Sequence, residues 1–146
     1  MRAANSGFVA ACLVSACATG PAFVAAQAPR AGHAVVVVYR QSHLLGSGIA
    51  HGVAIDRQPM GKLVNGSYLR LEVPVGEQFV DLLAQGCSRL KQPLLLRPGQ
   101  TTFVQLALVN KTIAIGGRYY YDFGCELHPR SESEALPLIA GMPRAD

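Results

Sequence analysis

From His33 onward the chain is a succession of short apolar stretches, each broken by turn residues at intervals of about ten positions. Ala34–Tyr39, AVVVVY, is apolar throughout and predicts a central strand buried on both faces. AHGVAID places His51, Val53 and Ile55 on one side of a second strand. DRQPMGK then reads as turn chemistry punctuated by Pro59 and Gly61. In NGSYLRLEVP, Ser67, Leu69, Leu71 and Val73 oppose Tyr68, Arg70 and Glu72, the alternation of a half-buried strand. Pro74 and Gly76 turn the chain into EQFVDLLA, and LLLRPGQTTFVQLALV predicts two strands around Pro98-Gly99. RYYYDFGCEL predicts a last strand. Its Tyr119, Tyr121, Phe123, Cys125 and Leu127 share one face, and Arg118, Tyr120, Asp122 and Glu126 the other.

The fold class that follows is all-β: a single antiparallel β-sandwich of about seven to nine short strands. Its core is expected to contain Val35, Val37, Val53, Ile55, Leu69, Leu71, Val80, Leu82, Val104, Leu106, Tyr121 and Phe123. Helix signals are nearly absent after the start. Ser131 and Glu134 match a capping box, and Pro137 limits any helix there to a turn or two. The closing GMPRAD is expected to fray.

The first thirty residues have a different character. Arg2 precedes an apolar run from Phe8 to Ala16, far short of the roughly twenty residues that span a bilayer. A positive start, a short apolar run and then small residues follow the plan of a signal peptide with its helix. Val14-Ser15-Ala16-Cys17 resembles the lipobox of bacterial lipoproteins, which implies cleavage before Cys17 and acylation of its thiol. Val9-Ala10-Ala11-Cys12 has the same spelling, but a cut there leaves an apolar run shorter than the 7–15 residues of a signal core. Ordinary cleavage after Ala26 is the competing reading. The favoured division is a signal peptide over 1–16, a flexible lipidated tether over 17–32, a β-sandwich domain over 33–130, and a helical turn and tail over 131–146. Two or three acyl chains anchor firmly where one does not. The expected location is therefore the cell envelope. Ala18 after Cys17 is not the aspartate that often retains lipoproteins at the inner membrane, so the outer membrane facing the periplasm is the default. The alternative is a soluble periplasmic or secreted protein.

Charge and cysteine content narrow the partners. The formal charge is +4, yet no two basic residues are adjacent, so no nucleic-acid footprint is present. Cys87 and Cys125 form an even pair in an exported domain, which suggests a disulfide. Two separate buried thiols are the alternative.

The stretch from AVVVVYR through GSGIAHGVAIDRQPMGKLVNGSYLRLEVPVGEQFVDL resembles the bacterial domain-of-unknown-function family 2846. The matching residues are Tyr39, Arg40, Gly46, Val53, Ile55, Asp56, Gly61, Leu63, Asn65, Gly66, Tyr68, Val73, Pro74, Gly76, Pro98 and Gly99. The hairpin pattern is also similar to PEGA-type envelope modules. The resemblance implies a β-sandwich found in envelope proteins, commonly lipoproteins, and no catalytic residues. One departure is that Arg57-Gln58-Pro59 replaces the family's usual glycine after Asp56, so a longer turn is expected there.

Candidate chemistry is sparse. Gly46-Ser47-Gly48 lacks the Gly-x-Ser-x-Gly frame of a nucleophile elbow. His33, His43, His51 and His128 form no short-spaced pair, and no Cys-x-x-Cys is present, so neither a metal nor another cofactor is expected. The acidic residues offer no close pair at a catalytic spacing. The expectation is a non-catalytic, lipid-anchored envelope module that displays a surface for protein or cell-wall contact. The rival is a small-ligand or glycan binder. It would use the 41–49 loop with His43 and His51 at its mouth, and Tyr68 or Tyr120 as exposed stacking rings.

Overall fold

The computed structural model describes residues 20–24, 27–44, 46–83, 87 and 90–145, and leaves out the side chains of Lys111, Tyr121 and Asp122. The expected signal helix, Cys12 and Cys17 lie outside the described residues. The elements are β1 (His33–Arg40), β2 (His51–Ile55), β3 (Gln58–Leu63), β4 (Ser67–Pro74), β5 (Gly76–Leu83), β6 (Lys91–Leu96), β7 (Thr101–Ile115), β8 (Arg118–Arg130) and α1 (Glu132–Ile139). Two four-stranded sheets form, ordered β4-β1-β7-β8 and β3-β2-β5-β6. The expected all-β sandwich is therefore present. All neighbours run antiparallel except β1 and β7, which pair in parallel from Val35↔Thr101 to Arg40↔Leu106.

The periodicity explains the layers. Val36 and Val38 of β1, Val53 and Ile55 of β2, Leu69 and Leu71 of β4, Val80 and Leu82 of β5, and Val104 and Leu106 of β7 fill the space between the sheets. Successive strand residues point to opposite faces, so Val35, Val37 and Tyr39 emerge on the outer side of the first sheet. There they pack with Tyr68 and Phe103 against Ala135 and Ile139 of α1. Strand β1 is buried on both sides, as its unbroken apolar run predicts. Ser131 begins α1 by donating its backbone N–H (2.9 Å) and its hydroxyl (2.6 Å) to the Glu134 carboxylate.

Several expectations are corrected. Pro59 and Gly61 are not turn residues: they lie within β3, an edge strand where a missing N–H is tolerated. The turn after Ile55 has only two residues, Asp56 and Arg57, both at positive φ (48° and 70°). The extra residue is absorbed as a register shift opposite Val53 and Ala54 instead of a longer turn. The tail does not fray. Tyr68 donates its N–H to Pro143 O and Ala145 donates to Tyr68 O, which satisfies the backbone groups of Tyr68 on the open edge of β4.

The described part of the expected tether is likewise held. Ala22 bridges Pro143, Phe23 stacks edge-on against Tyr68 at 5.2 Å, and Arg30 pairs with Glu72 at 2.7 Å. One aromatic ring gives this segment a hydrophobic reason to stay down. Of the expected core residues, Phe123 is instead 52% exposed, because β7 and β8 run past the end of β1 and out of the sandwich. Tyr121 has no described side chain.

Candidate functional site

Arg40, the last residue of β1, is a fully buried guanidinium. It donates to Gly46 O and Ile49 O, both at 2.7 Å, and so clamps the loop that leaves β1. His43 sits exposed in that loop, its N–H donated to Asn65 Oδ1 at 3.0 Å. His51 opens β2 on the same face as Val53 and Ile55, and it is buried with them. Its Nδ1 lies 3.7 Å from Cys87 Sγ, and its Nε2 has no hydrogen-bond partner among the described residues. Burial, and secondarily the Arg40 guanidinium, holds the His51 imidazole below its ordinary pKa, in the neutral form.

The disulfide between Cys87 and Cys125 is present, with Cα atoms 5.1 Å apart. It joins β8 of one sheet to the β5–β6 connection of the other. His51, Cys87 and Cys125 bring their ligating atoms within 4.8 Å of one another, but the S–S bond engages both sulfurs. That leaves one ordinary metal donor in the cluster.

Tyr68 is 4% exposed, not a free stacking ring. The sheet face it belongs to is covered by Phe23 and α1, and burial pushes its phenol upward in pKa. Tyr120 is half exposed, but it lies on the β7–β8 extension. No hydrogen bond, ion pair or ring contact joins any two of His43, His51, Tyr68 and Tyr120 among the described residues. Among the described residues, open depressions of about 560, 430 and 330 Å³ have none of these four in their lining.

The most distinctive surface is the β7–β8 extension. Pairing with β1 stops at Leu106, whereas β7 and β8 continue as a two-stranded arm to the Gly116-Gly117 turn. From Asn110 to Tyr120, every residue with a described side chain is exposed. Ile113 (42%), Ile115 (62%), Tyr119 (72%) and Tyr120 (51%) give the arm apolar groups on both of its faces. β7 runs 15 residues against 5–8 for β1 to β6, and the sequence signal for it is the absence of Gly and Pro from Thr101 to Ile115. Alternation alone does not reveal it.

Among the described residues no helix is long and apolar enough to cross a membrane. The chain matches no protein-family model, no curated protein and no solved structure.

Proposed function

We propose that this protein is a non-catalytic, lipid-anchored envelope module that docks a protein partner through the β7–β8 arm. The observation carrying the reading is the arm itself. A two-stranded ribbon standing alone in water is marginal, and apolar groups on both faces make it costlier still unless something covers it. Acylation at Cys17 is supported by the lipobox resemblance and the short apolar run before it. The envelope setting is supported by the resemblance to family 2846 and by the disulfide, which suits an oxidising compartment. The non-catalytic reading rests on the scattering of the candidate residues and on a His–Cys–Cys cluster whose sulfurs are bonded to each other.

The test is photo-crosslinking in intact envelopes. A crosslinking side chain at Ile113 or Ile115 should yield a discrete protein adduct, while the same group at exposed Lys62 on β3 should not. Adducts with cell-wall glycan at the arm would transfer the reading to a wall binder. Equal labelling at all three positions would remove the arm's special role.

A further inference from the structure

We infer that the arm's partner is a second copy of this chain, joined by antiparallel pairing of β8 with its own equivalent about a two-fold axis at Tyr120. This rests on the arm being a protein-contact surface and names what it contacts.

Backbone register carries the first part of the argument. Among the described residues, the arm portion of β8 pairs with β7 alone, so β8 is the last strand of its sheet. Gly116 and Gly117 both have positive φ (58° and 78°), the backbone of a two-residue hairpin turn that closes on a hydrogen-bonded pair. That pair is Ile115↔Arg118. Hydrogen-bonded pairs recur at every second residue. Arg118, Tyr120 and Asp122 therefore turn their backbone groups toward β7, and Tyr119 and Tyr121 turn theirs to the outer edge. An open edge of this kind is a template for another strand.

Self-complementarity carries the second part. An antiparallel strand paired with its own copy has a two-fold axis, the symmetry of a closed dimer. With the axis at Tyr120, Tyr119 and Tyr121 of opposite copies exchange the outward hydrogen bonds. By register, position 118 of each copy then stands opposite position 122 of the other, and the sequence sets Arg at one and Asp at the other. Because Tyr120 pairs with Ile113 across the hairpin, one row of the four-stranded ribbon reads Ile113, Tyr120, Tyr120, Ile113. The neighbouring row of backbone positions is 115, 118, 122 and 111, where the sequence carries Ile, Arg, Asp and Lys. Cross-strand apolar and opposite-charge pairs are the stabilising units of a sheet. Four strands also meet the minimum that two do not.

The test uses the full chain. Tyr120→Cys places like residues opposite each other at a non-hydrogen-bonded position, where Cα atoms sit about 4.5 Å apart and a disulfide can form. Oxidation in intact envelopes should give a covalent dimer on a non-reducing gel, absent from the unsubstituted chain and from Ile115→Cys. In detergent solution, Arg118→Asp should raise the dimer dissociation constant at least tenfold by setting like charges face to face, roughly the effect of 1.4 kcal/mol. Combining it with Asp122→Arg should restore dimerisation.

A chain that is monomeric at every concentration would overturn the inference. So would self-crosslinking at Ile115→Cys equal to that at Tyr120→Cys, or a dimer unaffected by Arg118→Asp. If crosslinkers at Ile113 capture a different envelope protein while Tyr120→Cys fails to link to itself, the docking function stands and the self-association falls.

Discussion

Arg57 occupies backbone space that suits glycine. Its φ of 70° is left-handed, which costs an L-residue roughly 1–2 kcal/mol. The neighbouring strand sustains it: Asp81 Oδ2 accepts the Arg57 N–H at 3.3 Å, and Asp56 Oδ1 accepts that of Phe79 at 3.0 Å. Arg57→Gly should relieve the strain and lose some of the gain to the greater entropy of the unfolded chain, for a net stabilisation of about 0.5–1 kcal/mol. Urea unfolding would show it as a raised midpoint at constant slope. His51 makes a pH prediction. Its folded pKa lies below the ordinary 6.5, so the unfolded chain takes up a proton more readily. Stability should be full above 6.5 and fall as pH drops through that value toward the folded pKa. Glu72 and Glu134, held below 4.5 by Arg30 and by Ser131, lose their contributions only at lower pH, below 4.5. Comparing urea midpoints of the wild type and His51→Gln between pH 6.5 and about 5 isolates the histidine, because the difference should shrink as pH falls. His51 shares a face with Val53 and Ile55, and that parity agrees with its burial, although the sequence pattern set it at the mouth of the 41–49 loop. Burial of the Arg40 charge was not legible, because a strand pattern does not show that a loop will fold back to offer it two carbonyls.

Among elements, period-two alternation decides which face a residue takes but not whether another layer exists at that height. Leu69, Leu71, Val104 and Leu106 were legible as core because β4 and the first half of β7 lie over the second sheet. Phe123 has the same parity as Cys125 and is still exposed, because β7 and β8 outrun the strands that would cover it. Tyr68 is the converse: its face is outward, but Phe23 and α1 come from distant parts of the chain to cover it. The disulfide is the one long-range contact that cysteine counting could anticipate. Cys87 and Cys125 are 38 residues apart, and closing a loop of that size contributes about 4 kcal/mol in the chain-entropy account. Cys125→Ala should therefore lower unfolding free energy by roughly 2–5 kcal/mol. The wild type should converge on the variant once its own disulfide is reduced, and equal stability of the two before reduction would contradict this.

At the level of the whole molecule, the anchor and the arm make separable claims. If Cys17 carries the acyl chains, Cys17→Ser should release the protein from the membrane fraction or leave its signal uncut, while Cys12→Ser should leave fractionation unchanged. A mature protein starting at Gln27 in both variants would replace the anchor with plain secretion. The clasp at the β4 edge sets a limit on what an anchored protein can do. Gly20 donates its N–H to Arg144 O at 3.2 Å, and a Cβ at Gly20 would collide with that carbonyl, so the fit there is close. Only three peptide steps separate Gly20 from position 17, and a fully extended chain covers about 10 Å in three steps. An acylated Cys17 would thus moor Gly20, and the clasp it belongs to, within about 10 Å of the acylated residue. The protein could not patrol the space beyond the bilayer, and any partner would have to come to the lipid surface or already be resident on it.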